Sequence, residues 1–332
     1  MEKTRLVFAG HDLKFALLII NHLEKTNKFE IRFDQWSGHN THDEQRSIEC
    51  LNWADVIICE WGLGNAVWYS HRKLPHQKLI VRMHRQELDT VYPTQFINEN
   101  INVFIAISPF IYEEFYRIFK LPRDKTKMIY NVLDASKLDK PKINAKYNLG
   151  IIGIAPKMKR LDLALDLLEK LWMTDHNYKL FVKGKKPEEY PWLWRKDTER
   201  EYYEELYLRI ERAPWKSAVI FDGFGEIDEW LQKIGFVLST SDFESFHLAP
   251  SEGMASGAIP LILKWDGSET IYKEDYLYDD IDAFANRIIE INKMESSSAL
   301  RKEVKEYARH QFDIKKIGKQ WEELIDELLE SK

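Results

Sequence analysis

The sequence predicts an α/β protein of two doubly wound halves, each a parallel sheet with helices on both faces. Three observations carry this. Short runs rich in Val, Ile and Phe recur along the 332 residues, and they are apolar throughout rather than alternating, as strands buried on both faces are. Amphipathic segments of helical spacing separate them. The length exceeds one mid-sized domain and suits two of roughly 150 residues each.

In the first half the runs place strands near Arg5–Ala9, Asp55–Cys59, Leu79–Met83, Val103–Ile107 and Met128–Tyr130. In the second half they fall near Leu149–Ile154, Lys179–Val182, Ala218–Phe221, Gly235–Leu238 and Ile259–Leu263. Helical patterns cover Leu13–Glu24, Phe110–Phe119, Leu161–Trp172, Glu199–Arg212 and Ile281–Ile291. The polar, lysine-rich stretch Asp134–Lys146 has no period and marks a boundary, giving domains at residues 1–135 and 136–312. Residues 313–332 hold a last amphipathic helix, with Ile317, Trp321, Leu324, Ile325 and Leu328 on one stripe.

Composition narrows the function classes. A net charge of -6 argues against a general nucleic-acid binder. No apolar run approaches the ~20 residues needed to cross a bilayer, and no signal-like core follows Met1, so a cytoplasmic protein is expected, with peripheral membrane contact still compatible. Cys50 and Cys59 read as reduced thiols in or near a core. His39 and His42 lie in a polar loop without a third ligand. Asp280-Ile281-Asp282 opens a helix, where Asp is an ordinary cap. No phosphate-loop or dinucleotide glycine fingerprint is present, which disfavours a dehydrogenase.

Parallel sheets bind ligands at the carboxyl ends of their strands. That rule selects Gly10-His11-Asp12, Glu60-Trp61-Gly62, His84-Arg85 and Ser108 in the first half. In the second half it selects Gly153 to Arg160, Lys183 to Lys186, Asp222 to Gly225 and Ser239 to Glu252. The last stretch is the most informative. A helix is expected to start around Pro250, a residue suited to a first turn, and to end at Gly257. Its N-terminus and the amides of Phe246, His247 and Leu248 would form an anion site, with Glu244 before it and Glu252 in its first turn. Carboxylates so placed suit sugar and ribose hydroxyls rather than phosphate.

This run, continuing as Gly253-Met254-Ala255-Ser256-Gly257-Ala258-Ile259-Pro260, resembles the E-x7-E motif of retaining GT-B glycosyltransferases, most closely family 4, the group 1 glycosyl transferases. Gly253 stands for the usual alanine and His247 for the usual glycine. Gly153-Ile154-Ala155-Pro156-Lys157-Met158-Lys159-Arg160-Leu161-Asp162 is similar to the family's G-R-L-x-x-x-K-G segment, with Ile154 where the arginine stands. Tyr130-Asn131-Val132-Leu133-Asp134 is similar to the signal that closes the first domain. The resemblance implies the GT-B fold, two Rossmann-like domains facing across a cleft, with the C-terminal helix packed back on the first domain as part of a hinge.

The resemblance also implies chemistry. A nucleoside diphosphate sugar would donate a hexosyl-type group to an acceptor hydroxyl with the anomeric configuration kept. Glu252 would hold the ribose and Glu244 the sugar hydroxyls. Lys159 and the amides of Phe246 to Leu248 would take the diphosphate, with Lys157 and Arg160 as further cations. His84 would stand against the donor sugar. Gly10 and His11 would form the loop near donor and acceptor, and Trp61 would lie on the acceptor side; Trp61, Trp68 and Tyr69 either stack on sugars or fill the core. No metal or cofactor is expected, and no nucleic acid. The acceptor would be a carbohydrate or lipid-linked glycan, in glycan or surface polysaccharide biosynthesis. The alternatives are a related epimerase or phosphorylase, or a sugar-nucleotide binder without turnover.

Overall fold

A computed structural model describes residues 3–331. The chain divides into two compact units, Met1–Leu133 with Phe312–Lys332, and Asp134–Gln311.

The first unit runs β1 (Thr4–Gly10), α1 (Leu17–Lys25), β2 (Phe29–Gln35), α2 (Glu44–Trp53), β3 (Val56–Glu60), α3 (Gly64–Arg72), β4 (Lys78–Met83), β5 (Val103–Ala106), α4 (Pro109–Phe119) and β6 (Thr126–Met128). All pairings are parallel, in the order β2-β1-β3-β4-β5-β6. Parallel strands need crossover connections, and helices supply them on both faces. The side chains therefore sort by parity: Val7, Ala9, Ile57, Cys59, Leu79 and Val81 enter one core, while Leu6, Phe8, Val56, Ile58 and Ile80 enter the other. Both cysteines are free and buried.

The second unit runs α5 (Ala135–Leu138), β7 (Asn148–Ile152), α6 (Leu161–Trp172), β8 (Lys179–Lys183), α7 (Pro191–Trp194), α8 (Asp197–Arg212), β9 (Val219–Gly223), α9 (Asp228–Gln232), β10 (Phe236–Ser239), α10 (Leu248–Ala255), β11 (Ile259–Leu263), β12 (Leu277–Tyr278), α11 (Ile281–Lys293) and α12 (Ser298–Phe312). Its sheet is again parallel, ordered β12-β11-β10-β7-β8-β9. Counted from its own first strand this is the 3-2-1-4-5-6 order of a dinucleotide-type fold. The order reverses between β7 and β10, and in the first unit between β1 and β3. Such reversal points are where parallel sheets bind ligands.

The chain re-enters the first unit through a parallel bridge between Leu133 and Asp313. α13 (Ile314–Glu330) follows, with Asp313 as its cap. Its stripe of Ile317, Trp321, Leu324 and Ile325 joins the core that holds Leu6 and Phe8. Gly318 lets the helix approach α1 closely, since a Cβ there would lie 2.6 Å from the His22 ring. His22 Nε2 meets Glu322 Oε1 at 2.6 Å beside it.

Several expectations are corrected. β2 was not expected, because this edge strand alternates Phe29, Ile31 and Phe33 with Glu30, Arg32 and Asp34. β6 ends at Met128 rather than Tyr130. α10 starts at Leu248, two residues before Pro250, so Glu252 sits past the first turn. Trp68 and Tyr69 are buried in α3, and the Tyr69 hydroxyl donates to Asp34 Oδ2 at 2.8 Å, which removes both from any sugar-stacking role. His42 is half-buried and stacks on Trp36 with ring centroids 3.8 Å apart. Lys183, expected in the loop after its strand, closes β8 and is buried.

The core role of α13 is testable. Trp321→Ala is expected to cost about 3–5 kcal/mol in urea unfolding, because the side chain is fully enclosed. A loss under ~1 kcal/mol would contradict this placement.

Candidate functional site

In the second unit the loops after β7 and β10, flanking the point of order reversal, are stitched together. The Thr240 hydroxyl donates to the Lys159 carbonyl at 2.8 Å, and the Asp242 amide donates to the Met158 carbonyl at 2.9 Å. This brings Lys159 and Glu244 into contact, with the Lys159 ammonium donating to Glu244 Oε1. The Ser241 hydroxyl donates to the same oxygen at 2.7 Å. Burial alone would raise the Glu244 carboxyl's pKa, but His247 and Lys159 together hold it below the ordinary carboxylate range. Burial pushes His247 down to about 4, so at neutral pH its imidazole is uncharged and Lys159 does the holding.

His247 adopts a left-handed backbone, φ 57°, and caps α10. Its Nδ1 meets Ser239 Oγ at 2.7 Å. The Tyr272 hydroxyl reaches the carbonyls of His247 at 2.9 Å and Phe246 at 3.2 Å. No side chain caps α10, and Pro250 in its third position has no N–H to offer, so Leu248 and Ala249 present the helix amides. Phe246 itself is fully buried. Burial raises Glu252 to about 7, since no cation or hydrogen bond among the described residues counters it.

The other expected cations are placed differently. Arg160 bonds Asp162 Oδ2 at 2.8 Å and Asp242 Oδ1 at 2.9 Å, so its charge is already answered by two carboxylates. Lys157 is exposed, and its amide donates to Glu199 Oε2 at 2.8 Å. Ile154 is buried, and its carbonyl accepts from the Tyr203 hydroxyl at 2.6 Å.

In the first unit a buried charge network lies at the ends of β3 and β4. Glu60 and Arg82 stand directly opposite in register. Arg82 Nη1 donates to Glu60 Oε1 at 2.7 Å, and Nη2 donates to Asn131 Oδ1 at 2.5 Å. His84, 3% exposed, meets Glu60 Oε1 through Nε2 at 3.0 Å. A carboxylate only accepts, so Nε2 carries the proton. Burial lowers His84 despite Glu60, which keeps the ring neutral at pH 7. Glu87 accepts from the amides of Gly62 at 2.7 Å and His84 at 3.1 Å, yet burial raises it to about 8.

Over His84 lie Trp61, ring centroids 4.0 Å away, and Phe15, 5.5 Å away. The Trp61 indole donates to the Asp12 carbonyl at 2.9 Å, across the β1–β3 reversal point. His11 sits 5.9 Å from Trp61 and 4.6 Å from His39; burial, then His39, lowers its pKa. Gly10 is needed for close strand approach, since a Cβ there would stand 2.5 Å from the Glu60 carbonyl. The structure thus gathers His84, Trp61, His11 and Gly10 in one cluster. Glu60, selected from sequence only as a strand end, completes it together with Arg82 and Glu87, which sequence reasoning did not single out.

Residues 134–311 match the family described as glycosyl transferases group 1. The chain belongs to that family. It is a glycosyltransferase, and its two Rossmann-like units are of the GT-B type. Among solved structures, it is similar to Anabaena HepE in complex with UDP-glucose at 18% identity and TM-score 0.72, covering 97% of this chain and 99% of that one. A glycosyltransferase from Rickettsia africae gives 12% identity and TM-score 0.75, with both chains fully covered. Sucrose-phosphate synthase from Thermosynechococcus elongatus gives 14% and 0.72, covering 99% and 100%. At these identities the likeness speaks for the fold. No curated protein sequence matches the chain. Among the described residues no helix is long and apolar enough to cross a membrane.

The Glu252 carboxyl makes stability depend on pH. Its folded pKa of about 7 exceeds the unfolded value of ~4.3, so the folded protein holds a proton that the unfolded chain has lost. That contribution is complete below about pH 4.3 and is lost as pH rises through about 7. Glu252→Gln is therefore expected to stabilise at pH 8 by about 1–3 kcal/mol and to change little at pH 4. Thermal unfolding at the two pH values checks this, and equal effects at both would contradict it.

Proposed function

We propose that this glycosyltransferase takes its sugar from a nucleoside diphosphate sugar and keeps the anomeric configuration, with the donor bound at the carboxyl edge of the second unit's sheet. The observation that carries the reading is the Lys159–Glu244 pair on two clasped loops beside the uncapped N-terminus of α10. Support comes from HepE, a protein of like fold in complex with UDP-glucose.

On diphosphate binding Lys159 exchanges its carboxylate partner for phosphate oxygens. Glu244 is thereby released, still ionised, to accept hydrogen bonds from sugar hydroxyls. The amides of Leu248 and Ala249 add dipolar stabilisation as the leaving diphosphate gains charge. Glu252 receives the ribose hydroxyls. The leaving phosphate takes the acceptor's proton as its hydroxyl attacks from the same face, so no protein nucleophile is required. Neutral His84, with its proton on Nε2, is assigned to the acceptor side together with Trp61. The acceptor is a carbohydrate or lipid-linked glycan, and glycan or surface polysaccharide assembly is the proposed setting.

Turnover without a divalent metal follows if Lys159 and the helix amides answer the diphosphate. A thermal-shift screen against UDP-, GDP-, ADP- and CDP-sugars identifies the donor, and its slow hydrolysis without acceptor then reports activity. Lys159→Ala is expected to lower that turnover by about 10²–10³-fold. Unaltered turnover in Lys159→Ala would remove the central element. Activity abolished by chelator and restored by manganese or magnesium would remove the metal-independent mechanism.

A further inference from the structure

One charged group of the second unit has no role in this mechanism. Lys183 closes β8 with only 9% of its surface exposed. Taking an ammonium out of water costs several kcal/mol unless an anion answers it, so buried lysines are normally paired. Among the described residues, no ion pair or hydrogen bond engages the Lys183 ammonium. Asp222, which precedes its register partner Gly223, is committed to Lys233 at 2.9 Å and to the Trp230 indole at 2.7 Å.

The backbone around this ammonium is unusually bare. Gly153, Gly184, Gly223 and Gly225 all have positive φ, at 73°, 126°, 67° and 150°. They form one cluster: the Gly153 amide donates to the Lys183 carbonyl at 2.8 Å, and the Gly184 amide donates to the Gly223 carbonyl at 3.0 Å. A Cβ on Gly225 would stand 3.4 Å from Lys183 Nζ, and one on Gly153 or Gly223 would meet nothing within 4 Å. Glycines so arranged leave room for a ligand to approach main chain.

We infer that Lys183 is a phosphate-binding residue, taking a phosphate of the nucleoside diphosphate at the glycine-lined edge of β7, β8 and β9. The inference rests on the donor reading above. It also accounts for position 154, a buried isoleucine where the resemblance leads one to expect a cation. Of the neighbouring cations, Lys159 is answered by Glu244 and Arg160 by Asp162 and Asp242. Lys183, by contrast, has no carboxylate partner among the described residues.

The test is titration calorimetry of the full chain with UDP, GDP, ADP, CDP and the matching nucleosides, for wild type, Lys183→Met, Lys183→Gln and Lys183→Arg. The nucleotide that wild type prefers is expected to bind the two neutral variants roughly 10- to 100-fold more weakly. Arginine should recover most of the loss, and nucleoside affinity should stay unchanged. Without nucleotide, the neutral variants should melt no lower than wild type, because no hydrogen bond or ion pair of Lys183 among the described residues is lost. Wild-type nucleotide affinity in either neutral variant would overturn the assignment while leaving the donor reading intact. A lowered melting temperature with unaltered affinity would assign Lys183 a structural role and overturn it equally. Failure of wild type to bind any of the four nucleotides would instead sink the donor reading, and this inference with it.

Discussion

Parallel pairing is the constraint on which the rest of this molecule depends. Parallel strands cannot close through tight turns, so every strand of a sheet ends at the same edge and every functional loop leaves from it. Where the strand order reverses, such sheets bind their ligands. In the second unit that point lies between β7 and β10, the two strands whose loops carry Lys159 and Glu244. In the first it lies between β1 and β3, and the Trp61 indole bridges it to Asp12. Residues far apart in sequence become partners because topology leaves them one place to go.

Charges brought to these edges are handled in contrasting ways. Glu60 and Arg82 neutralise each other on adjacent strands, with Asn131 taking a second guanidinium nitrogen. Such a buried pair adds little net stability but is costly to break on one side, which makes it a rigid footing for His84. Glu87, which no cation among the described residues answers, is held protonated at neutral pH by burial. Lys159 and Glu244 form the exchangeable case: a cation and an anion that each have a second partner in the proposed reaction. Pairs that fix geometry and pairs that trade partners thus coexist at equivalent strand ends.

Much of this was legible in the sequence. α6 and β11 occupy the bounds expected for them, Leu161–Trp172 and Ile259–Leu263, because a helical stripe and a continuous apolar run are strong local signals. β2 was hidden because an edge strand may carry charges on alternate residues without loss. The start of α10 was displaced by two residues because Pro250 suits any position among the first, unpaired amides. The strand-end rule found the loops holding His84, Lys159 and Glu244, yet not what their side chains bond to. The Glu60–Arg82 pair depends on register between two strands, and Arg160 is engaged by an aspartate on another loop. Neither can be read from local spacing.

The first unit is interrupted in sequence, its core being completed by α13 after all of the second unit. During synthesis the ribosome therefore releases β1 to β6 with one face of their sheet covered by α1 but not yet by α13. The second unit, contiguous from Asp134 to Gln311, is translated whole before the 17 residues of α13 emerge. Order of folding is thus opposite to order in the chain: the later unit can close first, while Leu6, Phe8 and Ile80 wait for Trp321. For that interval the nascent protein exposes the apolar surface that α13 later covers, the kind of surface that chaperones bind and that favours aggregation.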